Sequence, residues 1–159
     1  MNCDPNPRKV KTLRDKYLAE NSYNAEDYDA PRFYISVGKL VLNFPNPGKL
    51  RHHDLNHVVS GYGTGLIGEA EISAYEVRCG FPSSLILFFC IGSIIIGLGL
   101  SPSRILRAWR AAKGAQTLYR SSIPYEELLE MDVVELRRVL KIPDGGFGDR
   151  REFFVAAHK

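Results

Sequence analysis

Four residues of types that bind metal ions cluster near the middle of the chain: His53, Asp54, His57 and Glu69. If this stretch is helical, His53 and His57 are four residues apart and lie one turn above the other on the same face. Asp54 lies about 100° around the helix from His53, so its carboxylate can reach the same side. The spacing therefore predicts one helical face with three candidate metal ligands.

Glu69 follows His57 after eleven intervening residues. The glycines of "GYGTG" between them suit a tight turn, so a second helix can fold back antiparallel and place Glu69 opposite the histidines. Two imidazoles with one or two carboxylates suit zinc first, and iron(II) or manganese where coordination positions stay open. Magnesium ranks lower because it prefers oxygen ligands. The alternative is chance, since H-x-x-x-H spacing also occurs on ordinary helices, and the adjacent His52 is expected to be a solvated bystander.

Helical patterns surround this motif. The helix that carries the histidines ends at Gly61, and "GLIGEAEISAYEVRC" forms the next helix, which ends before Gly80 and Pro82. An apolar helix, a basic helix beginning at Pro102 and two short helices before Pro143 follow. We therefore predict an all-α fold, a compact helical bundle of about five helices with a short polar N-terminal arm.

The ends of the chain carry weaker patterns. We expect one domain over residues 1–159, in which residues 1–30 form the arm with a short helix around Lys11 to Leu18. The stretch "FYISVGKLVLNFPNPG" alternates in part and is a short strand or a loop. The glycine-rich residues 144–159 are expected to form a flexible tail.

The apolar stretch Leu85 to Leu100 is sixteen residues long. A membrane-spanning helix needs about 20 apolar residues, so we favour a buried central helix over a true span. A segment that touches lipid from one side is the alternative. The glycines of the apolar stretch leave one side of its helix without bulky side chains, and its large apolar residues, taken together, could line a tunnel for a lipid tail.

The helix after Pro102 is amphipathic. At 100° per residue, four basic residues fall on one half of its circumference (Arg104, Arg107, Arg110 and Lys113), and Ile105, Ala108, Trp109 and Ala112 fall on the other. Such a charged face is usually solvated. The sharper alternative is attraction to an anionic membrane, where each nearby basic side chain contributes roughly 1 kcal/mol.

Composition narrows the class of protein. The chain has 159 residues and a net charge of +3, which is too weak to indicate nucleic acid binding. Three widely spaced cysteines without a C-x-x-C pair indicate neither a disulfide framework nor a cysteine zinc site. The first residues lack the apolar segment of a secretory signal. We expect a cytoplasmic protein, or one peripheral on the inner face of a membrane.

The motif His53-Asp54-x-x-His57 with Glu69 after eleven residues resembles the H-D-x-x-H-x(11)-E signature of the coenzyme Q (ubiquinone) biosynthesis protein four family. The segments "AYEVRCGFP" and "LRRVLKI" are similar to the same family, and the resemblance covers roughly residues 33–143. It implies that these four residues are the metal ligands and the candidate catalytic residues. Asp54 is then a fourth ligand, which we favour, or an acceptor that fixes a histidine tautomer.

The resemblance also implies a function. A metal-dependent enzyme would act on a prenylated aromatic quinone precursor and decarboxylate its ring, oxidatively in one version. The alternative within the family is a non-catalytic prenyl-lipid-binding scaffold that gathers other quinone-biosynthesis proteins. Expected partners are the isoprenoid substrate, an anionic membrane surface and a second copy of the chain as a homodimer. A different class of protein, a small helical domain with a closed structural metal site, is the third interpretation.

Overall fold

The computed structural model describes residues 7–37 and 40–148, and these form a helical bundle with one β-hairpin. Within the described residues there are seven α-helices: α1 (Val10–Asn21), α2 (Leu50–Ser60), α3 (Leu66–Cys79), α4 (Ser84–Leu100), α5 (Pro102–Ala111), α6 (Tyr125–Glu130) and α7 (Val133–Val139). Strands β1 (Arg32–Val37) and β2 (Leu40–Pro45) pair antiparallel. The all-α prediction is confirmed.

The helix count exceeds the predicted five because several short segments have their own ends. Asp132 caps α7 by accepting a hydrogen bond from the backbone N–H of Val134 at 2.8 Å, which separates α7 from α6. Helix α1 lies inside the expected N-terminal arm but buries Val10 and Tyr17. The backbone N–H of Val10 donates to the carbonyl of Met131 at 3.0 Å, so the described part of the arm is integrated into the bundle.

The core lies among helices α2, α3, α5, α6 and α7. Its fully buried members include Leu55, Ile72, Tyr75, Leu128 and Leu136. At the carboxyl end of the described chain, the backbone N–H groups of residues 147 and 148 donate to the carbonyl of Ser60 at 2.7 and 3.0 Å. The beginning of the expected flexible tail is therefore held against α2, and residues 149–159 lie outside the described residues.

Glycines allow α2 and α3 to approach closely. Gly61 ends α2 with a φ of 78°, a backbone conformation that glycine adopts readily. At Gly68 a Cβ atom would overlap the backbone of Gly63, so the turn between the helices lies directly on α3. This close approach sets the position of the residue that follows, Glu69.

Helix α4 is not the buried central helix that we favoured from its composition. Only Ile86, Cys90 and Gly97 are buried along it. Gly97 faces the core so closely that a Cβ atom there would overlap the side chain of Ala70 on α3 and crowd Ile105 on α5. Because α4 packs on the bundle through one narrow face only, most of its apolar side chains lie outside the core.

The remaining segments agree with the sequence patterns, with one difference. Strands replace the loop alternative for the stretch before α2, and the rings of Phe33 and Phe44 contact Phe89 of α4 edge-on at 5.6 and 4.7 Å between centroids.

On α5, Trp109 was expected on the apolar half, but it is 40% exposed, and the guanidinium of Arg78 lies 5.1 Å from its ring. Among the described residues no helix has both the length and the hydropathy required to cross a membrane.

Candidate metal centre

Three of the four predicted ligands meet between α2 and α3. The Nε2 atoms of His53 and His57 are 3.3 Å apart. The two carboxylate oxygens of Glu69 lie 3.5 Å from His53 Nε2 and 3.3 Å from His57 Nε2. The structure therefore brings His53, His57 and Glu69 together as a group that could hold a metal ion.

Hydrogen bonds on the far side of each imidazole aim both Nε2 lone pairs at the same point. His57 Nδ1 lies 3.1 Å from the carbonyl oxygen of Tyr62, and His53 Nδ1 lies 3.0 Å from Oε1 of Glu76. A carbonyl and an ionised carboxylate only accept, so Nδ1 carries the proton on each neutral ring. When both rings are neutral, two lone pairs and a carboxylate thus converge, and either a bound metal ion or a proton on His53 would satisfy this arrangement.

The separations fit the first coordination sphere of a transition metal. With metal–nitrogen bonds of about 2.0–2.1 Å, two ligands of a tetrahedral zinc ion lie about 3.3–3.4 Å apart. The two histidine nitrogens are 3.3 Å apart, and Oε1 of Glu69 lies 3.3 Å from His57 Nε2, which matches this spacing; the shortest contact of Glu69 with His53 is 3.5 Å and uses its other oxygen. Three protein ligands with the fourth position left for water or substrate is the pattern of catalytic rather than structural zinc sites.

Glu76 is a functional residue that the sequence analysis missed. Its side chain is fully buried, and Oε1 accepts hydrogen bonds from His53 Nδ1 at 3.0 Å and from Asn56 Nδ2 at 2.9 Å. The spacing held a signal, because Glu76 lies seven residues after Glu69 and therefore two turns along the same face of α3. A carboxylate behind a ligating histidine fixes its tautomer and raises its basicity.

Electrostatics couple these groups. Burial alone would lower the pKa of His53, but the carboxylates of Glu76 and Glu69 raise it well above its ordinary value. Burial would raise the pKa of Glu69, and the two histidines more than offset it and hold that pKa below its usual range. The pKa of Glu76 is lowered in the same way, mainly by His53. Both glutamates are therefore carboxylates at neutral pH.

Asp54 does not join the three-residue group, contrary to the role that we favoured for it. Its Oδ2 accepts a hydrogen bond from Tyr28 Oη at 2.7 Å, and its Oδ1 accepts a longer one from Tyr17 Oη at 3.4 Å. Tyr17 also stacks on the ring of His57, with centroids 5.6 Å apart. The physical reason is the 100° offset from His53, which turns Asp54 toward α1 and the turn that contains Tyr28. Asp54 thus holds Tyr17, the side chain that stacks on the ring of His57.

The adjacent His52 also differs from its expected surroundings. It points away from the ligand group, as predicted, but it packs against the rings of Tyr119 and Tyr125 and is not a solvated side chain. Burial, followed by the nearby charges of Lys49 and Arg51, lowers the pKa of His52 to about 4. His52 is therefore a neutral packing residue at pH 7.

One side of the centre is open. The side chains of His53 and Glu69 are 25% and 33% exposed, whereas His57 is completely buried. Leu66 lies one turn before Glu69 on α3 and is 67% exposed. The candidate ligands are therefore only partly shielded from solvent, and the exposed apolar side chain of Leu66 lies one helical turn away from Glu69.

Comparison with known proteins adds no further assignment. The chain matches no protein-family model and no curated protein sequence. The resemblance of the four-residue motif to the ubiquinone biosynthesis family therefore stays a prediction, and the site is defined by its geometry.

Proposed function

We propose that the chain is a metal-dependent enzyme that acts on a prenylated aromatic quinone precursor and decarboxylates its ring. The observation that carries the proposal is the convergence of His53 Nε2, His57 Nε2 and the Glu69 carboxylate at 3.3–3.5 Å, open on one side. Zinc is the first choice of metal, with iron(II) and manganese as alternatives. The class of substrate comes from the resemblance of the motif.

Each residue of the candidate centre has a role in this proposal. His53, His57 and Glu69 would hold the metal, and a divalent ion there would supply Lewis acidity to the electron density left on the ring when carbon dioxide departs. Glu76 keeps the proton of His53 on Nδ1, and the Tyr62 carbonyl does the same for His57. Tyr17 stacks on one face of the His57 ring, and Asp54 accepts a hydrogen bond from Tyr17. Leu66 borders the open side, where an apolar tail would lie.

Oxygen chemistry distinguishes two versions of the reaction. In a simple decarboxylation the ring carbon loses carbon dioxide and gains a proton. In the oxidative version a hydroxyl group replaces the carboxylate, and this requires an oxidant, for which dioxygen is the candidate. The partial exposure of His53 and Glu69 allows a second small molecule to enter beside the substrate.

The test measures metal and turnover in the same samples. Purified protein loaded with zinc, iron(II) or manganese is incubated with a prenylated 4-hydroxybenzoate in detergent micelles, with and without dioxygen, and released carbon dioxide is measured. We expect turnover with one of these metals, and its loss in His57→Ala. His52→Ala is the matched control, because it removes a neighbouring histidine outside the group. Metal-loaded protein that releases no carbon dioxide contradicts the catalytic proposal.

A non-catalytic lipid-binding scaffold is the second candidate. The observation that favours it is the exposure of apolar side chains along α4, among them Phe88 and Ile95 at 67% and 65%. A scaffold would retain prenyl-lipid and partner-protein binding in His57→Ala and would show no turnover in any sample. A closed structural metal site is less favoured, because two of the three ligand side chains are partly exposed.

A further inference from the structure

We infer that the exposed face of α4, together with the basic residues of α5, is a docking surface for an anionic lipid membrane. We call it the α4–α5 surface and define it by Phe88, Ile91, Ile95 and Leu98 on α4, by Arg107 and Arg110 on α5, and by Lys113 two residues after the end of α5. The purpose of this surface, the collection of a prenylated substrate, rests on the proposed function. Its location on the protein rests on separate observations.

The apolar part of this surface is one continuous helical stripe. Phe88, Ile91, Ile95 and Leu98 follow a spacing of three and four residues, which places them on one face, and they are 41–67% exposed. The buried residues Cys90 and Gly97 lie on the opposite face, against α3. Scattered exposed apolar residues are ordinary on soluble proteins, but a contiguous apolar patch marks an interaction site.

The charged residues of the segment after α4 have one sign. Arg107 and Arg110 on α5 and Lys113 just after it are exposed, and α5 follows α4 directly. No acidic residue occurs between Arg78 and Glu126. The nearest acid on α3, Glu71, is already paired with Arg104 by two hydrogen bonds of 2.9 and 2.7 Å. An apolar stripe on a helix that is followed directly by a basic segment is complementary to anionic headgroups above acyl chains.

The same charges argue against a second copy of the chain as the occupant. A symmetric contact pairs a surface with itself, so two α4–α5 surfaces would bring like charges together. Helix α4 has seventeen residues, and no described helix is suited to cross a membrane. Helix α4 therefore lies along the lipid surface. Trp109, 40% exposed on α5, is of the residue type enriched at membrane interfaces.

Docking in this orientation serves the metal centre. Helix α4 runs antiparallel to α3, and Gly97 near its carboxyl end contacts Ala70, the residue next to the metal ligand Glu69. The exposed Leu66 lies one turn before Glu69 on α3. The carboxyl end of α4 thus packs against the part of α3 that carries Glu69, so docking through α4 would hold the centre near the bilayer that contains a prenylated molecule.

Flotation of the full chain with lipid vesicles tests the inference. The vesicles contain phosphatidylcholine alone or phosphatidylcholine mixed with phosphatidylglycerol, and we expect binding to the anionic mixture. Ile95→Glu should weaken this binding about tenfold or more, because it places a charge in the apolar layer. Val139→Glu is the matched control, an exposed apolar residue on α7. Arg110→Glu should weaken binding about tenfold, and the control Lys11→Glu, exposed on α1, should not.

Each outcome decides the inference. Absence of binding to anionic vesicles overturns it, as does equal binding by Ile95→Glu and the unchanged protein. A dimer in solution that Ile95→Glu separates, without vesicle binding, overturns it in favour of a second copy. Zinc binding by the same samples reports folding and separates the two proposals. Protein that binds zinc but no vesicles contradicts docking alone, and protein that binds vesicles but no zinc contradicts the metal centre alone.

Discussion

Glu76 accepts a hydrogen bond from Nδ1 of His53 at 3.0 Å. The side chain of Glu76 is completely buried, whereas His53 and Glu69 are partly exposed. Two glutamates of α3 thus contact the same histidine on opposite edges of its ring, since Glu69 lies 3.5 Å from Nε2. Helix α3 supplies both a candidate ligand, Glu69, and the acceptor that orients another candidate ligand, His53. Four predictions follow from this relationship and from the packing around it.

Replacement of the buried acid should weaken metal binding without removing a ligand. We expect Glu76→Gln to lower zinc affinity about 10- to 100-fold, because a neutral amide is a weaker acceptor behind a ligating histidine than a carboxylate and leaves that histidine less basic. A competition titration against a chelator measures the change. Glu127→Gln, exposed on α6, is the control. Unchanged affinity in Glu76→Gln would contradict the positioning role.

Metal-free protein should lose stability as the pH rises above neutrality. The pKa of His53 is raised in the folded state, chiefly by Glu76 and Glu69, which more than offset its burial. A group whose pKa is raised on folding contributes fully below its unfolded pKa, about 6.5 for histidine. That contribution is lost as the pH rises toward the higher folded pKa. Urea unfolding of metal-free protein at pH 5.5, 7 and 8.5 should show the decline.

The same experiment has an internal control. His53→Gln should flatten the decline in the free energy of unfolding above pH 6.5, because the group that titrates has been removed. Zinc should reverse the trend in the unchanged protein, since metal binding competes with the proton and strengthens as the pH rises. A decline of equal slope in His53→Gln would assign the titration to another residue.

Asp54 should prove dispensable for metal binding. Its oxygens accept hydrogen bonds from Tyr28 and Tyr17 at 2.7 and 3.4 Å, so Asp54→Asn should keep one zinc per chain. It should lose about 1–2 kcal/mol of unfolding free energy, since a hydrogen bond to a charged acceptor becomes a neutral one. Elemental analysis compares its zinc content with that of His57→Ala, which should lose the metal. Equal loss in both variants would make Asp54 a ligand after all.

Gly68, on the first turn of α3, should not tolerate an added methyl group. Gly68→Ala places a Cβ atom against the backbone of Gly63, and backbone cannot move aside like a flexible side chain. We expect a loss of about 1–3 kcal/mol or more, with weaker zinc binding because Glu69 is adjacent. Thermal denaturation measures the first effect. Gly99→Ala on α4 has open space around it and should be neutral or slightly stabilising.

Much of the ligand group was predictable from spacing alone. A separation of four residues aligns His53 and His57 on any helix, and the glycines after α2 allow the antiparallel return that brings Glu69 opposite. Glu76 was recognisable in principle from its spacing to Glu69. That it contacts His53 could not be derived, because this depends on the packing of α3 against α2.

Other features depended on contacts between distant segments. The partners of Asp54 come from α1 and from the turn at Tyr28, 37 and 26 residues away along the chain, and no local pattern indicates them. Helix α4 is apolar on every side, so its sequence has no polar face that would tell which side meets the core. Its exposed stripe became visible only when the rest of the bundle covered one narrow face and left the others open.

The contact of Gly97 with Ala70 has a mechanical consequence. A hydrogen atom is all that glycine places between the two helices, and a Cβ atom at that position would overlap the side chain of Ala70. A larger residue at position 97 would therefore push α4 away from α3 at the level of the residue next to Glu69. The spacing between the outer helix and the helix that carries the candidate acid ligand is thus set by the absence of a single methyl group.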